Sequence, residues 1–355
     1  MMLTGQDRPL ILVTGGAGYI GSHCSVELLQ SGYDVAIVDN LCNSFRAAIT
    51  RIEELAGRKV DFHQVDLLDE LALEAVFAQY DEDGKSKIHA VIHFAGLKAV
   101  GESSQEPLKY YQNNITGSLI LFQCMERHSV RRLVYSSSAT VYGEPPTYPI
   151  HEECPTSPNS PYGRTKLFIE RIIEDTSRTH SWQSVILRYF NPVGAHPSGE
   201  LGEHPQGIPN NLMPYLAQVA IGKLSSITVF GTDYFTRDGT GLRDYIHVMD
   251  LCRGHLAALL ELGTVVTPGC AEIFNLGTGT GYTVLEMIDA FSEATKTDIP
   301  FQLGPRRPGD VATLLADPIK ANEQLKWRAE YNLNRMCVDL WRWQSTHPNG
   351  FSKSS

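Results

Sequence analysis

The chain alternates between short apolar runs and longer stretches with apolar residues at helical spacing. Leu10-Ile11-Leu12-Val13, closing on Thr14, is an unbroken apolar run, as expected of a strand buried on both faces of a parallel sheet. Runs of the same kind recur at 34–38, 60–67, 90–96, 133–136 and 185–189. Between them, helices are predicted near 19–31, 45–57, 69–80, 105–128 and 161–179. Alternation in this order predicts an α/β fold, a doubly wound parallel sheet of Rossmann type. Such sheets hold ligands outside the carboxyl ends of their strands. Residues 15–21, 39, 66, 94–98 and 136–140 all fall there.

After Tyr189 the pattern changes. Residues 191–209 are rich in Gly, Pro, Asn and His and predict a long loop region, a common carrier of function. A helix near 210–222 follows, then strands at 227–230, 240–248 and 272–277. Aromatic residues at helical spacing over 327–343 predict a core-packing tail. These pieces predict a smaller α+β C-terminal lobe that binds substrate. The expected domains are 1–190 and 191–355, with about 232–260 returning to the first.

Composition narrows the class. Of 355 residues, 42% are hydrophobic and 20% charged, an ordinary globular balance. A net charge of −10 and a pI near 5.6 argue against nucleic acid or an anionic membrane as main partner. The seven cysteines show no C-x-x-C spacing, which predicts reduced thiols, a cytoplasmic location and no metal site. Met1 to Pro9 is short and polar, and no run reaches the roughly 18 apolar residues of a membrane span.

Candidate chemistry starts at the first βα turn. Gly15, Gly18 and Gly21 lie between a strand and a helix, where glycine lets a diphosphate approach the backbone and the helix N-terminus. Asp39 ends the second strand, placed for a ribose hydroxyl pair, and its charge favours NAD over NADP. Asp66 ends the third, where it would accept the adenine amino group. Ser136-Ser137-Ser138 ends the fifth strand, and Tyr162 and Lys166 are four apart at the start of a helix, on one face. An ammonium within a few ångströms lowers a phenol's pKa, so serine, tyrosine and lysine together predict a proton-transfer site. Spacing does not choose among the three serines. Arg243 and Arg307 are candidate anchors for a diphosphate.

Nine stretches together resemble a known family: GGAGYIGSH from 15, DNLCNS at 39–44, HFAGLKAVGES at 93–103, YSSSATVYG at 135–143, YGRTK at 162–166, RYFNPVGAHPSG at 188–199, GIPNNLMPY at 207–215, GLRDYIHVMD at 241–250 and RRPGD at 306–310. They are similar to the UDP-glucose (UDP-galactose) 4-epimerases, extended short-chain dehydrogenase/reductases. The resemblance implies Ser138, Tyr162 and Lys166 as catalytic residues. It implies NAD contacts at Gly15, Gly18, Tyr19, Ile20, Gly21, Asp39, Asn40, Asn43, Ser44, Asp66, Leu67, Phe94, Lys98, Asn113, Tyr162, Lys166 and Tyr189. It implies UDP-sugar contacts at Ser138, Tyr162, Asn191, Asn211, Ile227, Thr228, Phe230, Arg243, Arg307, Asp310 and Leu314. The implied activity is reversible 4-epimerisation of UDP-galactose and UDP-glucose. Tyr162, as phenolate, takes the 4-hydroxyl proton, and hydride passes transiently to tightly bound NAD. The 4-keto sugar turns over, and hydride and proton return to its other face.

Two other readings are set against this one. A nucleotide-sugar 4,6-dehydratase carries an Asp-Glu pair after the strand-five hydroxyl, where this chain has Ala139 and Thr140. A non-catalytic NAD-binding protein of the same fold would not need an intact Ser138, Tyr162 and Lys166. Leu314 stands where the family carries either a bulky tyrosine or a small residue, so UDP-N-acetylhexosamines are expected to be poor substrates. The resemblance also implies a homodimer paired through helices 105–128 and 161–179.

Overall fold

The computed structural model describes residues 8–207, 209–307 and 310–351. Met1 to Asp7, Ile208 of the 207–215 stretch, and Pro308 and Gly309 of the arginine loop lie outside the described residues. Strand β1 (Leu10–Thr14) is flanked by β2 (Asp34–Val38) and β4 (Ile88–His93) in a seven-stranded sheet. β3 (Asp61–His63) extends one side, and β5 (Arg132–Ser136) and β6 (Gln183–Tyr189) extend the other. All pairings are parallel. The chain reverses its direction of travel between β1 and β4, which opens a crevice at their carboxyl ends.

Alternate residues of each strand enter two cores. Ile11, Val13, Val35, Ile37 and Ile92 pack with α1 (Tyr19–Gln30), α2 (Ala47–Ala56) and α8 (Val248–Leu260). Leu12, Ala36, Val91 and Leu133 pack on the opposite face with α3 (Glu70–Ala78), α5 (Gly117–Arg127) and α6 (Pro161–His180). This is the two-sided burial that unbroken apolar strands require.

Three sequence expectations are corrected. The run at 272–277, assigned to the smaller lobe, belongs to the main sheet: Cys270–Leu276 is its seventh strand, β10, beside β6. α8 is the crossover helix that delivers it, and the smaller lobe is built from segments on both sides of this pair, 191–247 before α8 and 281–314 and 333–346 after β10. The single helix expected over 105–128 is broken. α4 (Val100–Gln105) stops before Pro107, which has no N–H to donate and starts a new turn. A wider π-turn at Tyr111–Thr116 then precedes α5. β3 ends at His63, so Asp66 lies in the following turn rather than at the strand end.

The smaller lobe has its own core. α7 (Leu212–Ala220), α9 (Val284–Thr295) and α10 (Leu333–Thr346) bury Leu216, Phe291 and Leu340 against Ile227 and Val229. β8 (Ile227–Phe230) pairs with β12 (Phe301–Gly304). β9 (Leu242–His247) pairs with β7 (Asn191–Val193), β11 (Gly281–Thr283) and β13 (Thr313–Leu314).

Candidate active site

The glycine turn lies against the loop that follows β4. Gly15 has φ +70°, and a Cβ there would meet the Ala95 backbone N at 2.7 Å. A Cβ on Gly21 would meet the Gly15 carbonyl oxygen at 2.2 Å. The turn is therefore closed by backbone against backbone. α1 begins with no side-chain cap and no acidic residue in its first turn, so the helix N-terminus is left to a ligand. Asp39 is buried; it accepts Ala17 N at 3.0 Å through Oδ2, and Leu41 N and Ser44 Oγ at 2.9 and 2.7 Å through Oδ1. A carboxylate has about four lone-pair sites, so one stays available. Asn40 Nδ2 donates to Asp66 Oδ2 at 2.8 Å. An uncapped helix end, a cradle that any Cβ would fill and an incompletely used carboxylate together fit NAD.

The other expected cofactor residues surround this crevice. Tyr19 Oη donates to the Gly194 carbonyl at 2.7 Å, joining the turn to the long loop. Lys98 Nζ pairs with Glu203 at 2.8 Å. Asn113 Nδ2 donates to Asn114 Oδ1 at 2.9 Å. The Phe94 and His255 rings are 4.7 Å apart, and the Tyr189 ring lies tilted 6.3 Å from the same histidine. Leu67 packs against the second core beside Gly117, Ile20 packs against the first, and Asn43 is exposed.

The three adjacent serines have three different partners. Ser136 offers its carbonyl to Lys166 Nζ at 2.7 Å. Ser137 Oγ donates to Glu170. Ser138, in extended backbone, caps the short turn Ala139–Tyr142 and accepts Thr140 N and Thr140 Oγ1 at 3.2 and 3.0 Å. Gly143 closes this turn with φ +64°, where a Cβ would collide with the Ser157 carbonyl oxygen. Ser160 caps α6, with Pro161 at its first position, so Tyr162 lies in the first turn.

Ser138, Tyr162 and Lys166 meet here, at 7%, 6% and 5% exposure: largely dry, yet open to a ligand. One expectation fails. Burial pushes the Tyr162 phenol above its ordinary range, and Tyr189 adds to the effect while the Ser138 hydroxyl opposes it. The lysine does not lower it, because Nζ is turned to the Ser136 carbonyl and lies 6.0 Å from the phenol ring centroid. Burial lowers the Lys166 ammonium to about 8, with Glu170 acting against that shift.

The substrate candidates approach from the smaller lobe. Arg243 on β9 donates to the Leu242 carbonyl at 2.8 Å, and its register partner is Leu314 on β13. Leu314 packs on the cluster containing Ala139, the residue after Ser138. One short ladder thus joins the arginine to the catalytic turn. Arg307 lies over the Phe230 ring at 4.5 Å, and Asp310 N donates to the Arg307 carbonyl at 3.2 Å. Thr228 accepts Gln302 Nε2 at 3.2 Å. Asn191 is half-buried on β7, and Asn211 is exposed at the start of α7. Ile227 turns its side chain into the lobe core. Strand alternation sends Thr228 and Phe230 the other way.

Sequence reasoning missed three residues. Glu170 continues the Tyr162–Lys166 stripe by four positions, so helical spacing would have found it. Asp244 is buried and accepts Thr278 N, Thr278 Oγ1, Gly279 N and Ala316 N at 2.7 to 3.3 Å; its place beside Arg243 was the signal. Asn114, buried in the π-turn, bonds Leu97 through its N and O and reaches Thr165 Oγ1. No sequence pattern marked it.

A family model described as GDP-mannose 4,6 dehydratase matches residues 12–340. The chain is 58% identical to UDP-glucose 4-epimerase uge1 of Schizosaccharomyces pombe and 54% identical to UDP-glucose 4-epimerase of Bacillus subtilis. These alignments cover 98% of both chains for the first, and 97% of this chain and 99% of the other for the second. A Bifidobacterium longum UDP-glucose 4-epimerase, solved in complex with NAD+ and UDP, superposes with a TM-score of 0.91 at 49% identity, over 96% of this chain and 100% of that one. The dehydratase name covers the wider fold, but Ala139 is buried among apolar residues and Thr140 serves Ser138, leaving no carboxylate at the two positions after Ser138. With such identity over nearly the whole length, the chain belongs to the UDP-glucose 4-epimerases, within the extended short-chain dehydrogenase/reductases.

Proposed function

We propose that this chain interconverts UDP-galactose and UDP-glucose by using Tyr162 as the proton-transfer group at the sugar 4-hydroxyl. The observation that carries the assignment is the meeting of two surfaces. Ser138, Tyr162 and Lys166 open onto the glycine-turn crevice on one side, and the Arg243–Leu314 ladder reaches them from the other. Gly15, Gly18, Gly21 and the start of α1 hold the diphosphate of NAD, and Asp39 holds a ribose. Bound NAD supplies the acceptor and donor of hydride.

Tyr162 accepts the 4-hydroxyl proton and later returns it. Ser138 orients that hydroxyl, and its place beside the phenol favours the phenolate. The first-turn position of Tyr162 in α6 acts in the same direction, since a helix N-terminus favours negative charge. Lys166 holds its positive charge within the same dry site. Arg243 and Arg307 grip the substrate diphosphate, Phe230 and Thr228 face the nucleotide, and Ile227 contributes backbone only. With the nucleotide held, the sugar is free to turn. Leu314 fills space beside the sugar and makes UDP-N-acetylhexosamines poor substrates; comparable turnover of UDP-N-acetylglucosamine and UDP-glucose would contradict this.

The protein works as a cytoplasmic homodimer in this reading. Leu108, Leu119 and Phe168 are exposed by 80%, 39% and 46% on neighbouring helices, and Tyr111 lies stacked near Phe168. A second copy pairing the same helices would cover them. Sugar analysis after incubation with UDP-galactose tests the function. UDP-glucose is expected from the wild type and at least ~10² less of it from Tyr162→Phe. A 4-keto-6-deoxy product would instead support the dehydratase reading.

A further inference from the structure

Tyr162, Lys166 and Glu170 form one stripe along α6. Glu170 is sealed from solvent, as is its partner Arg188 on β6; their side chains are 1% and 2% exposed. Arg188 grips it in a fork, Nε to Oε1 at 3.0 Å and Nη2 to Oε2 at 2.6 Å. Ser137, at the end of β5, donates to the same carboxylate. Arg188 also donates to the Glu152 carbonyl at 3.2 Å and lies 4.9 Å over the Tyr142 ring. Tyr142 belongs to the turn that Ser138 caps, and its hydroxyl donates to Asn275 of β10 at 2.7 Å.

A buried ion pair of this kind is often no more stabilising than apolar residues of the same volume. Stability alone therefore does not account for it. Its location does: it lies one turn behind Lys166 and touches every element that carries a catalytic group. We infer that Glu170, held by Arg188 and Ser137, is the positioning residue of this site. It fixes α6 against the ends of β5 and β6 and gives Lys166 its counter-charge. The inference rests on the proton-transfer reading above.

The groups facing Lys166 are Tyr162 and Glu170 on its own helix, Tyr135 on β5 and His93 on β4. Behind them stand Arg188 and Tyr189 on β6 and His255 on α8, which reaches Ser136 Oγ at 3.3 Å. Burial lowers both histidines, to about 3 and about 4, so they are neutral near pH 7. Arg188 does not give up its proton. Glu170 is the carboxylate left to balance two cations. In Glu170→Gln, the lysine is the group that yields its charge.

The test is the titration of Lys166, followed in the holoenzyme with 13C-labelled lysine and assigned with Lys166→Met. The midpoint, about 8 in the wild type, is expected to fall by about one unit or more in Glu170→Gln. At neutral pH, kcat is expected to fall about tenfold or more while KM for UDP-galactose stays within about twofold. Glu170→Asp keeps the charge but withdraws the carboxylate by one methylene: the midpoint should hold while kcat falls. It also decides the matter if Glu170→Gln does not fold. An unmoved midpoint in Glu170→Gln, or wild-type kcat in Glu170→Asp, overturns the inference. A lower melting temperature with unchanged midpoint and kcat makes the pair merely structural. Should the wild type leave UDP-galactose unchanged, the function fails, and the lysine titration still judges Glu170.

Discussion

Opposing effects meet at Tyr162 and Lys166. The phenol lies in a dry site, and burial outweighs the Ser138 hydroxyl that favours its anion. The lysine beside it loses part of its hold on a proton for the same reason. Both shifts have one sign in energy, since each neutral form is favoured by removal of water. The lysine shift gives a direct check. Lys166 should titrate at about 8, charged below that pH and neutral above it, whereas exposed lysines titrate at ~10.4. A midpoint among the exposed lysines would contradict the burial argument. Removing the phenol hydroxyl in Tyr162→Phe should lower kcat by ~10²–10⁴ with the melting temperature unchanged. At this scale the sequence pointed to the tyrosine and lysine through four-residue spacing, and to Ser138 only through resemblance. It could not reveal where Nζ points, because the Ser136 carbonyl that captures it belongs to another element.

Elements place these residues, and two of them can be tested. The glycine turn tolerates no side chain at Gly21, where a Cβ would collide with the Gly15 carbonyl. Gly21→Ala should yield protein depleted of NAD, as judged by cofactor released on denaturation; full retention would oppose the cradle assignment. β9 carries Arg243, and Asp244 holds that strand to the backbone at 278–279 and 316. In Asp244→Asn an amide N–H₂ replaces one acceptor oxygen and faces N–H donors. The expected cost is about 1–3 kcal/mol in urea unfolding, with a raised KM for UDP-galactose. Strands 1, 2, 4, 5 and 6 were legible because two-sided burial leaves continuous apolar runs. β10 was not, because the lobe segments from β7 to β9 separate it in the chain from β6, its partner. The broken helix before α5 was half legible: Pro107 marks one break, but nothing local marks the π-turn that presents Asn114.

For the molecule as a whole, the smaller lobe meets the crevice through the Arg243–Leu314 ladder, the Tyr19–Gly194 hydrogen bond and the Lys98–Glu203 pair, and the outer helices leave an apolar face uncovered. Light scattering should give twice the chain mass, and Leu119→Arg with Phe168→Glu should give the monomer; a monomeric wild type would rule out the pairing. That two lobes exist was legible from the change in character after Tyr189. How they interleave was not, since α8 and β10 return to the first sheet midway through the lobe, between β9 and β11. The central claim is that this assembly moves hydride between a UDP-hexose and its resident NAD while Tyr162 moves the proton. The most direct measurement takes protein purified without added cofactor, adds UDP-galactose, and follows NADH absorbance together with the sugar formed. The account predicts a transient NADH signal and conversion to UDP-glucose, both lost in Tyr162→Phe; a 4-keto-6-deoxy product, or unchanged UDP-galactose with NAD bound, would contradict it.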